Sequence, residues 1–310
     1  MPNVDHHVLI VGSVALDTVE TPSGVAERAL GGAATYSSVA ASFFAPVRMV
    51  GVVGNDFPIE HLDFLKQRKI DISGIQIADG KTFHWKGSYE GDMNQANTID
   101  TELNVFSSFK PKLPENYKKS EFLFLANIDP ELQLEVLNQV ENPKLIACDT
   151  MNFWISSKKD QLLEVLKKVD VCFINDAEAR QITGEQNISI AAEKIKEIGP
   201  KYVIIKRGEH GALMYCDENE CFAAASYPLL EVVDPTGAGD SFAGGFMGYI
   251  AKSGHLTSEN MRKAVIYGST LASYNVQDFS LNRFKNLTYP QIVERYQSFK
   301  KLMFFEHMDA

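Results

Sequence analysis

The sequence predicts an α/β fold, a mainly parallel central sheet flanked by helices on both faces, with a small β-sheet lid. Three observations carry this. Apolar runs that read as buried strands recur at HVLIVG (7–12), VRMVGVVG (47–54), FLFLAN (122–127), KLIACDT (144–150), VDVCFIN (169–175) and KYVIIKRG (201–208). Between several of them, ELQLEVLNQV (131–140), KDQLLEVLKKV (159–169) and SIAAEKIKEIG (189–199) repeat apolar residues at helical spacing. Strand, helix, strand in this rhythm gives parallel pairing through right-handed crossovers. The third observation is where the rhythm breaks: from Ile75 to Phe106 apolar and polar residues alternate, with turn signals at Asp79-Gly80 and Glu90-Gly91.

That alternating stretch reads as a small antiparallel sheet standing off the main body. No repeat or Ser/Gly linker interrupts the chain, so one domain over 1–310 is expected, with lid segments near 18–30 and 75–106 inserted in it. A net charge of −10 over 310 residues argues against nucleic-acid or acidic-membrane partners, which are gripped by Lys and Arg. No apolar run is long enough to span a bilayer and no signal-like start is present, so a cytoplasmic protein is expected. Four cysteines form no C-x-x-C pair. Cys148 and Cys172 lie in apolar runs as core residues, and Cys216 and Cys221 flank the DENE turn as reduced thiols.

Two phosphate motifs are excluded. Gly80-Lys81-Thr82 ends like a P-loop, but the required glycine five positions earlier is Ile75, and the following TFHWKGSY alternates like a strand, which makes Gly80 part of a hairpin turn. After Gly237 and Gly239, the third dinucleotide-fingerprint position is Phe242.

The chemistry concentrates in VVDPTGAGDSFAGGF, residues 232–246. Asp-Pro and Thr-Gly-Ala-Gly make a turn, and a helix then runs about three turns to Gly254. Gly244, Gly245 and Gly248 weaken that helix unless a neighbour packs closely against it. Free backbone N–H groups from Gly237 to Asp240, at the positive end of the helix dipole, form an anion hole without side-chain charge. Asp240 in that place repels a bound phosphate unless it takes a proton from the group attacking it, which is the task of a general base. Asp234 initiates the turn before Pro235. Asn175-Asp176-Ala177-Glu178 reads as a capping box opening a helix, and Gly208 and Gly211 in KRGEHG as turn glycines. Asp17 reads as a turn cap. Alternation puts Phe83 and Trp85 on one face of the lid, where they either stack on a sugar or nucleobase or pack the lid or a dimer contact.

DPTGAGDSFAGGF closely resembles the C-terminal signature of the PfkB carbohydrate kinases, the ribokinase-like family. GSVALD (12–17), GGAATYSSVAA (31–41), VGVVGNDF (50–57), NDAE (175–178) and KRGEHGA (206–212) match in the family's order, so the resemblance covers residues 8 to about 275. It implies an ATP-dependent phosphotransferase acting on an alcohol group of a sugar, with a nucleoside of the adenosine type as the alternative acceptor. By that resemblance Asp240 is the catalytic base and the amides of Gly237, Ala238 and Gly239 stabilise the transferring phosphoryl group. Asp17, Gly31, Gly32, Tyr36 and Trp85 are expected at the acceptor, and Asn175, Lys206, Gly208, Gly211 and Thr236 at the nucleotide. Glu178 is expected to organise Mg²⁺, and Asp234 with Thr236 a monovalent cation such as K⁺. The lid is expected to exclude water and to offer a homodimer contact. The chain departs from the family at Tyr36, where sugar kinases often carry Asn, and at Trp154 in DTMNFW, where Arg is common. A ligand-binding regulator that keeps the fold without catalysis is the reading from another class.

Overall fold

Val8–Val11 is buried along its whole length and forms β1, at the heart of the main sheet. The structure, a computed structural model, describes residues 6–91, 93–216 and 220–304. In chain order β1 is followed by β2 (Ala15–Thr21), β3 (Gly24–Gly31), β4 (Val47–Gly54), β5 (Ile70–Ala78), β6 (His84–Tyr89) and β7 (Ala96–Glu102). Then come β8 (Phe122–Leu125), β9 (Leu145–Asp149), β10 (Val171–Asn175), β11 (Tyr202–Lys206), β12 (Ala212–Tyr215) and β13 (Cys221–Ala224). The main sheet runs β13-β12-β11-β10-β9-β8-β1-β4-β5, parallel from β11 to β5 and antiparallel only in the two hairpins at the β13 edge. Strand order steps outward from β1 in both directions, so the crevice beyond the carboxyl ends of β1 and β8 is the topological switch point, where open α/β sheets bind ligands.

The second sheet runs β3-β2-β6-β7. It differs from the expected lid in two respects. Its central pair, β2 and β6, is parallel, so the sheet is mixed rather than antiparallel. Ile75–Ala78 complete β5, an edge strand of the main sheet paired to β4, and Gly80-Lys81-Thr82 is the crossover between the sheets rather than a hairpin turn. An edge strand with one face toward solvent alternates just as a lid strand does. Asp17 lies on β2, because the first apolar run breaks after Val11 instead of continuing as one strand. Residues 217–219 of the DENE turn lie outside the described residues. Cys216 and Cys221 form no disulfide among the described residues, and Cys148 and Cys172 are buried neighbours on β9 and β10.

The glycine-rich helix is Ala238–Ser253, longer than the three turns expected. Its glycines pack where the sequence demanded a neighbour. A Cβ on Gly244 would sit 2.2 Å from the Ser37 carbonyl oxygen, and one on Gly248 2.7 Å from Ala41 Cα, both in the Ala33–Ala41 helix. On the other side Gly245 meets the Ser258–Asn275 helix at the Tyr267 carbonyl, 3.1 Å away. Phe242 and Phe246 of the same helix face Phe173 on β10 edge-on, with ring centroids 6.1 and 5.3 Å away. Backbone-close packing on two sides thus fixes where the Gly237–Asp240 end of the helix points. Among the described residues no helix is long and apolar enough to cross a membrane.

Candidate active site

Three parallel strands end on functional side chains: Asp149 is the last residue of β9, Asn175 of β10 and Lys206 of β11. Asn175 caps the Asp176–Thr183 helix. Its Oδ1 accepts from the Glu178 N–H and Glu178 Oε2 accepts from the Asn175 N–H, each at 2.8 Å, so the expected capping box is formed. Across the strand ends, Lys206 Nζ donates to Asp149 Oδ2 at 2.6 Å, with both side chains largely buried. Burial alone would lower the Lys206 pKa, but Asp149, Glu178 and Asp240 around it raise it above its ordinary value. Lys206 also reaches the glycine-rich turn: a Cβ on Gly239 would stand 3.0 Å from its Nζ.

Gly237 is the N-cap of the Ala238–Ser253 helix, at φ 74°, and no side chain caps that end. The Ala238 N–H is turned back to the Pro235 carbonyl at 3.1 Å, so the anion hole expected from three amides loses this donor to the tight turn. The Gly239 and Asp240 amides remain at the open end of the helix. Asp240, half-buried there, has its carboxyl pushed up to about 7, chiefly by burial, then by Asp149, with Lys206 opposing. Asp17 is likewise pushed up to about 7 by burial, against the Gly32 amide that donates to its Oδ2 at 3.3 Å, and with Asp234 and Asp240 adding to the rise. Two carboxyl groups whose pKa values are raised by burial therefore lie close enough that the Asp240 charge is felt at Asp17.

Gly31 and Gly32 serve that arrangement. A Cβ on Gly31 would lie 1.9 Å from Asp17 Oδ2, and Gly32, at φ 92°, presses on the Ser13 carbonyl. Ser13 in turn accepts the Ala33 N–H on Oγ and the Ala34 N–H on its carbonyl, both at 3.0 Å. Asp234, 1% exposed, uses both oxygens to fix the turn, accepting from Thr236 N at 2.9 Å and Ser280 N at 3.1 Å. Tyr36 is buried with its ring against Gly237, where a Cβ would come within 2.4 Å of it. Its phenol is held protonated by burial first and by Asp234 and Asp17 next. Gly237→Ala combines a left-handed backbone with that clash. We expect kcat to fall by about 10²–10³, the loss typical of a displaced oxyanion donor, together with a lower melting temperature. Steady-state kinetics and thermal melts check this, and a variant with wild-type kcat contradicts the placement of the turn.

Some expectations are redirected. Trp85 packs the small sheet itself: its indole lies over Gly87 and its Nε1 donates to Thr98 Oγ1 of β7 at 3.2 Å. Phe83 leaves its company, stacking on Phe106 at 5.4 Å in the main body. Tyr89, three residues on from Lys86 in β6, is the aromatic that arrives at the glycine-rich turn, where Thr236 Oγ1 donates to its hydroxyl at 3.4 Å. Gly211, at φ 81°, closes the turn between β11 and β12, its carbonyl accepting from the Arg207 N–H at 2.8 Å, and a Cβ on it would meet the Ala224 carbonyl oxygen at 2.0 Å. Gly208, at φ 52°, lies under Asn94 Oδ1, beyond the β6 strand end. Asp149, in DTMNFW, and Tyr89, beside Phe83 and Trp85 in the lid segment, are the residues here to which the sequence assigned no site role. Trp154, in the Arg position, donates to Asn127 Oδ1 at 3.1 Å beyond the end of β8.

The residues present fit a Mg²⁺ that arrives with a nucleotide. Glu178, nearly buried, has its carboxyl pushed up to about 7 by burial and sits beside Asp149 and Lys206, so hard oxygen donors face the space at the strand ends. Such an ion is held by one or two carboxylates and substrate phosphates, not by an all-protein cage, and the described residues form no cage of three or more His, Cys, Asp or Glu. A separate groove of about 770 Å³, lined by His7, Arg48, Glu115 and Glu121 among others, lies at the amino ends of the strands, away from these groups.

A mainly parallel sheet with a small second sheet, and a carboxylate at the amino end of a glycine-rich helix, together describe a kinase of the ribokinase-like class. A model of the family described as "pfkB family carbohydrate kinase" matches residues 5–286, and the chain belongs to that family. It is similar to the cytidine kinase of Thermococcus kodakarensis, 35% identical over 247 residues, 77% of this chain and 87% of that protein. It is also similar to the nucleoside kinase of Methanothermobacter thermautotrophicus, 26% identical over 88% of this chain and 90% of that protein. Among solved structures, the nucleoside kinase of Methanocaldococcus jannaschii, an archaeal member of the ribokinase family, superposes with a TM-score of 0.75 over 94% of this chain and 98% of that one, at 22% identity.

Proposed function

We propose that this protein is a nucleoside kinase that transfers the γ-phosphoryl group of ATP to a sugar hydroxyl of its nucleoside. The observation that carries the transfer is Asp240, a carboxylate set at the amino end of a helix whose open amides face the same pocket as Asp17. The choice of a nucleoside over the simple sugar expected first is supported by the relatives named cytidine kinase and nucleoside kinase, which match most of the chain.

Asp17 orients the acceptor by accepting from its hydroxyls, with Gly31 and Gly32 letting the sugar lie against backbone. Asp240 takes the proton of the attacking hydroxyl. The oxygen of that hydroxyl forms a bond to the γ-phosphorus as the bond from that phosphorus to the β,γ-bridging oxygen breaks, and ADP leaves with the electron pair. Positive charge from Lys206 and the helix amides meets the charge on the transferring group. Glu178 is the carboxylate that would hold the water shell of a Mg²⁺ arriving with ATP, an ion that would supply charge neutralisation at the phosphate oxygens. Asp234 keeps lone pairs for a monovalent cation beside the turn. The small sheet acts as a lid that keeps water, the competing acceptor, away from ATP.

The test is a coupled assay of the purified protein with Mg-ATP against nucleosides, free sugars and inositol. The expected result is ADP release with a nucleoside at a kcat/KM at least tenfold above any sugar. A sugar preferred over every nucleoside overturns the acceptor class. Tight nucleoside binding with no ADP formed favours the regulator.

A further inference from the structure

Thr236 is tied to the body of the protein through its backbone. Its N–H donates to Asp234 Oδ1 at 2.9 Å, and its carbonyl accepts from Asn275 Nδ2 at 2.7 Å, while Asn275 Oδ1 accepts from the Ser241 hydroxyl one turn into the helix. Its hydroxyl alone turns the other way, to the Tyr89 phenol at 3.4 Å. Tyr89 ends β6, the inner strand of the small sheet, and is 9% exposed. A buried phenol must find a hydrogen-bond partner, and here the partner belongs to the turn that carries the helix amides and Asp240.

We propose that Tyr89 is a positioning residue for phosphoryl transfer: its hydroxyl locks the small sheet onto Thr236, so that covering the acceptor and setting the Gly237–Asp240 turn are one event. The proposal rests on the kinase reading of the site, but not on the identity of the acceptor. The energetic case is local. Both ends of the contact are fixed, Thr236 by Asp234 and Asn275, and Tyr89 by its β6 pairing to Ala96 of β7. Little side-chain freedom is therefore left to lose when the hydroxyls pair. Because Thr236 Oγ1 donates to the phenol oxygen, the phenol keeps its own O–H for a second partner. An acceptor hydroxyl or a phosphate oxygen entering the pocket is such a partner. The second bond would tighten the lid in response to a filled site.

Tyr89→Phe removes one oxygen and keeps the ring, and Thr236→Val removes the other half of the pair at similar volume. In the free protein, amide hydrogen exchange in both β6 and residues 236–240 is expected to quicken about fivefold in either variant, the factor one neutral hydrogen bond carries, with no further gain in the double variant. With Mg-ATP and acceptor, the ratio of ATP hydrolysed to acceptor phosphorylated is expected to rise in Tyr89→Phe, with the acceptor KM increased and the ATP KM little changed. Unchanged exchange in 236–240 in Tyr89→Phe, additive effects in the double variant, or an unaltered hydrolysis-to-transfer ratio each overturn the lock. Exchange is read without any acceptor, so a wild-type protein that phosphorylates no nucleoside would sink the acceptor assignment and leave this result standing.

Discussion

Asp240→Asn is expected to lower kcat by about 10³ while leaving the KM for ATP nearly unchanged, because the amide accepts no proton and still fits the same space. The same substitution is expected to stabilise the protein. The Asp240 carboxyl is raised from its ordinary value to about 7, chiefly by burial and then by Asp149, so the native state favours the neutral form. The corresponding contribution to stability is present at acid pH and lost as pH rises through about 7. At pH 8 the wild-type protein therefore carries the cost of a desolvated charge that the neutral amide of the variant does not. Asp240 opens partly to the cleft, and solvent tempers that cost to on the order of 1–2 kcal/mol. The melting temperature of the variant should exceed that of the wild type at pH 8, with the gap closing toward pH 4, while wild-type turnover should climb between pH 6 and 8 as the base ionises. A variant that is both fully active and no more stable at pH 8 would falsify the assignment of Asp240 as base. Stability gained where activity is lost is the signature of a group placed for chemistry rather than for folding.

The parts of this site legible in sequence were those written in consecutive residues. The Asn175–Glu178 capping box needs four positions, and its geometry follows from them. Gly244, Gly245 and Gly248 announce close neighbours because a helix does not otherwise tolerate three glycines in five residues, and the neighbours are there. The main sheet was readable because strands buried on both faces are unbroken apolar runs. Where two structures give the same pattern, sequence stopped short. Alternation in Ile70–Ala78 suits an edge strand of the main sheet as well as a lid strand, and only its pairing with β4 decides. Alternation likewise groups Trp85 with Tyr89 but does not say which of them meets the glycine-rich turn. That is set by Thr98, on the neighbouring strand, taking the indole N–H, and by Thr236 meeting the phenol 147 positions away. Asp149 and Lys206 are 57 residues apart and meet only because β9 and β11 flank β10 in one parallel sheet.

That strand-end pair gives the second large effect. Lys206→Met is expected to lower kcat by about 10²–10³ at neutral pH and to destabilise the protein by about 3–5 kcal/mol at pH 8, the range seen when one partner of a buried ion pair is removed. Lys206 stands among Asp149, Glu178 and Asp240, and its charge opposes the rise in pKa of both Glu178 and Asp240. Without it, Asp149 raises the Asp240 pKa unopposed. The base is then protonated at neutral pH, so any residual activity should require more alkaline conditions than in the wild type. Stability should move the other way. At pH 5 the raised carboxyls are neutral in the native state and little repulsion remains, so the loss relative to wild type should be smaller than at pH 8. Denaturant melts at both pH values, with a kcat profile from pH 6 to 9.5, separate this from a loss of packing, which would cost the same at either pH. Equal destabilisation at pH 5 and 8 with an unmoved pH profile would show that Lys206 serves the fold and not the charge balance of the base.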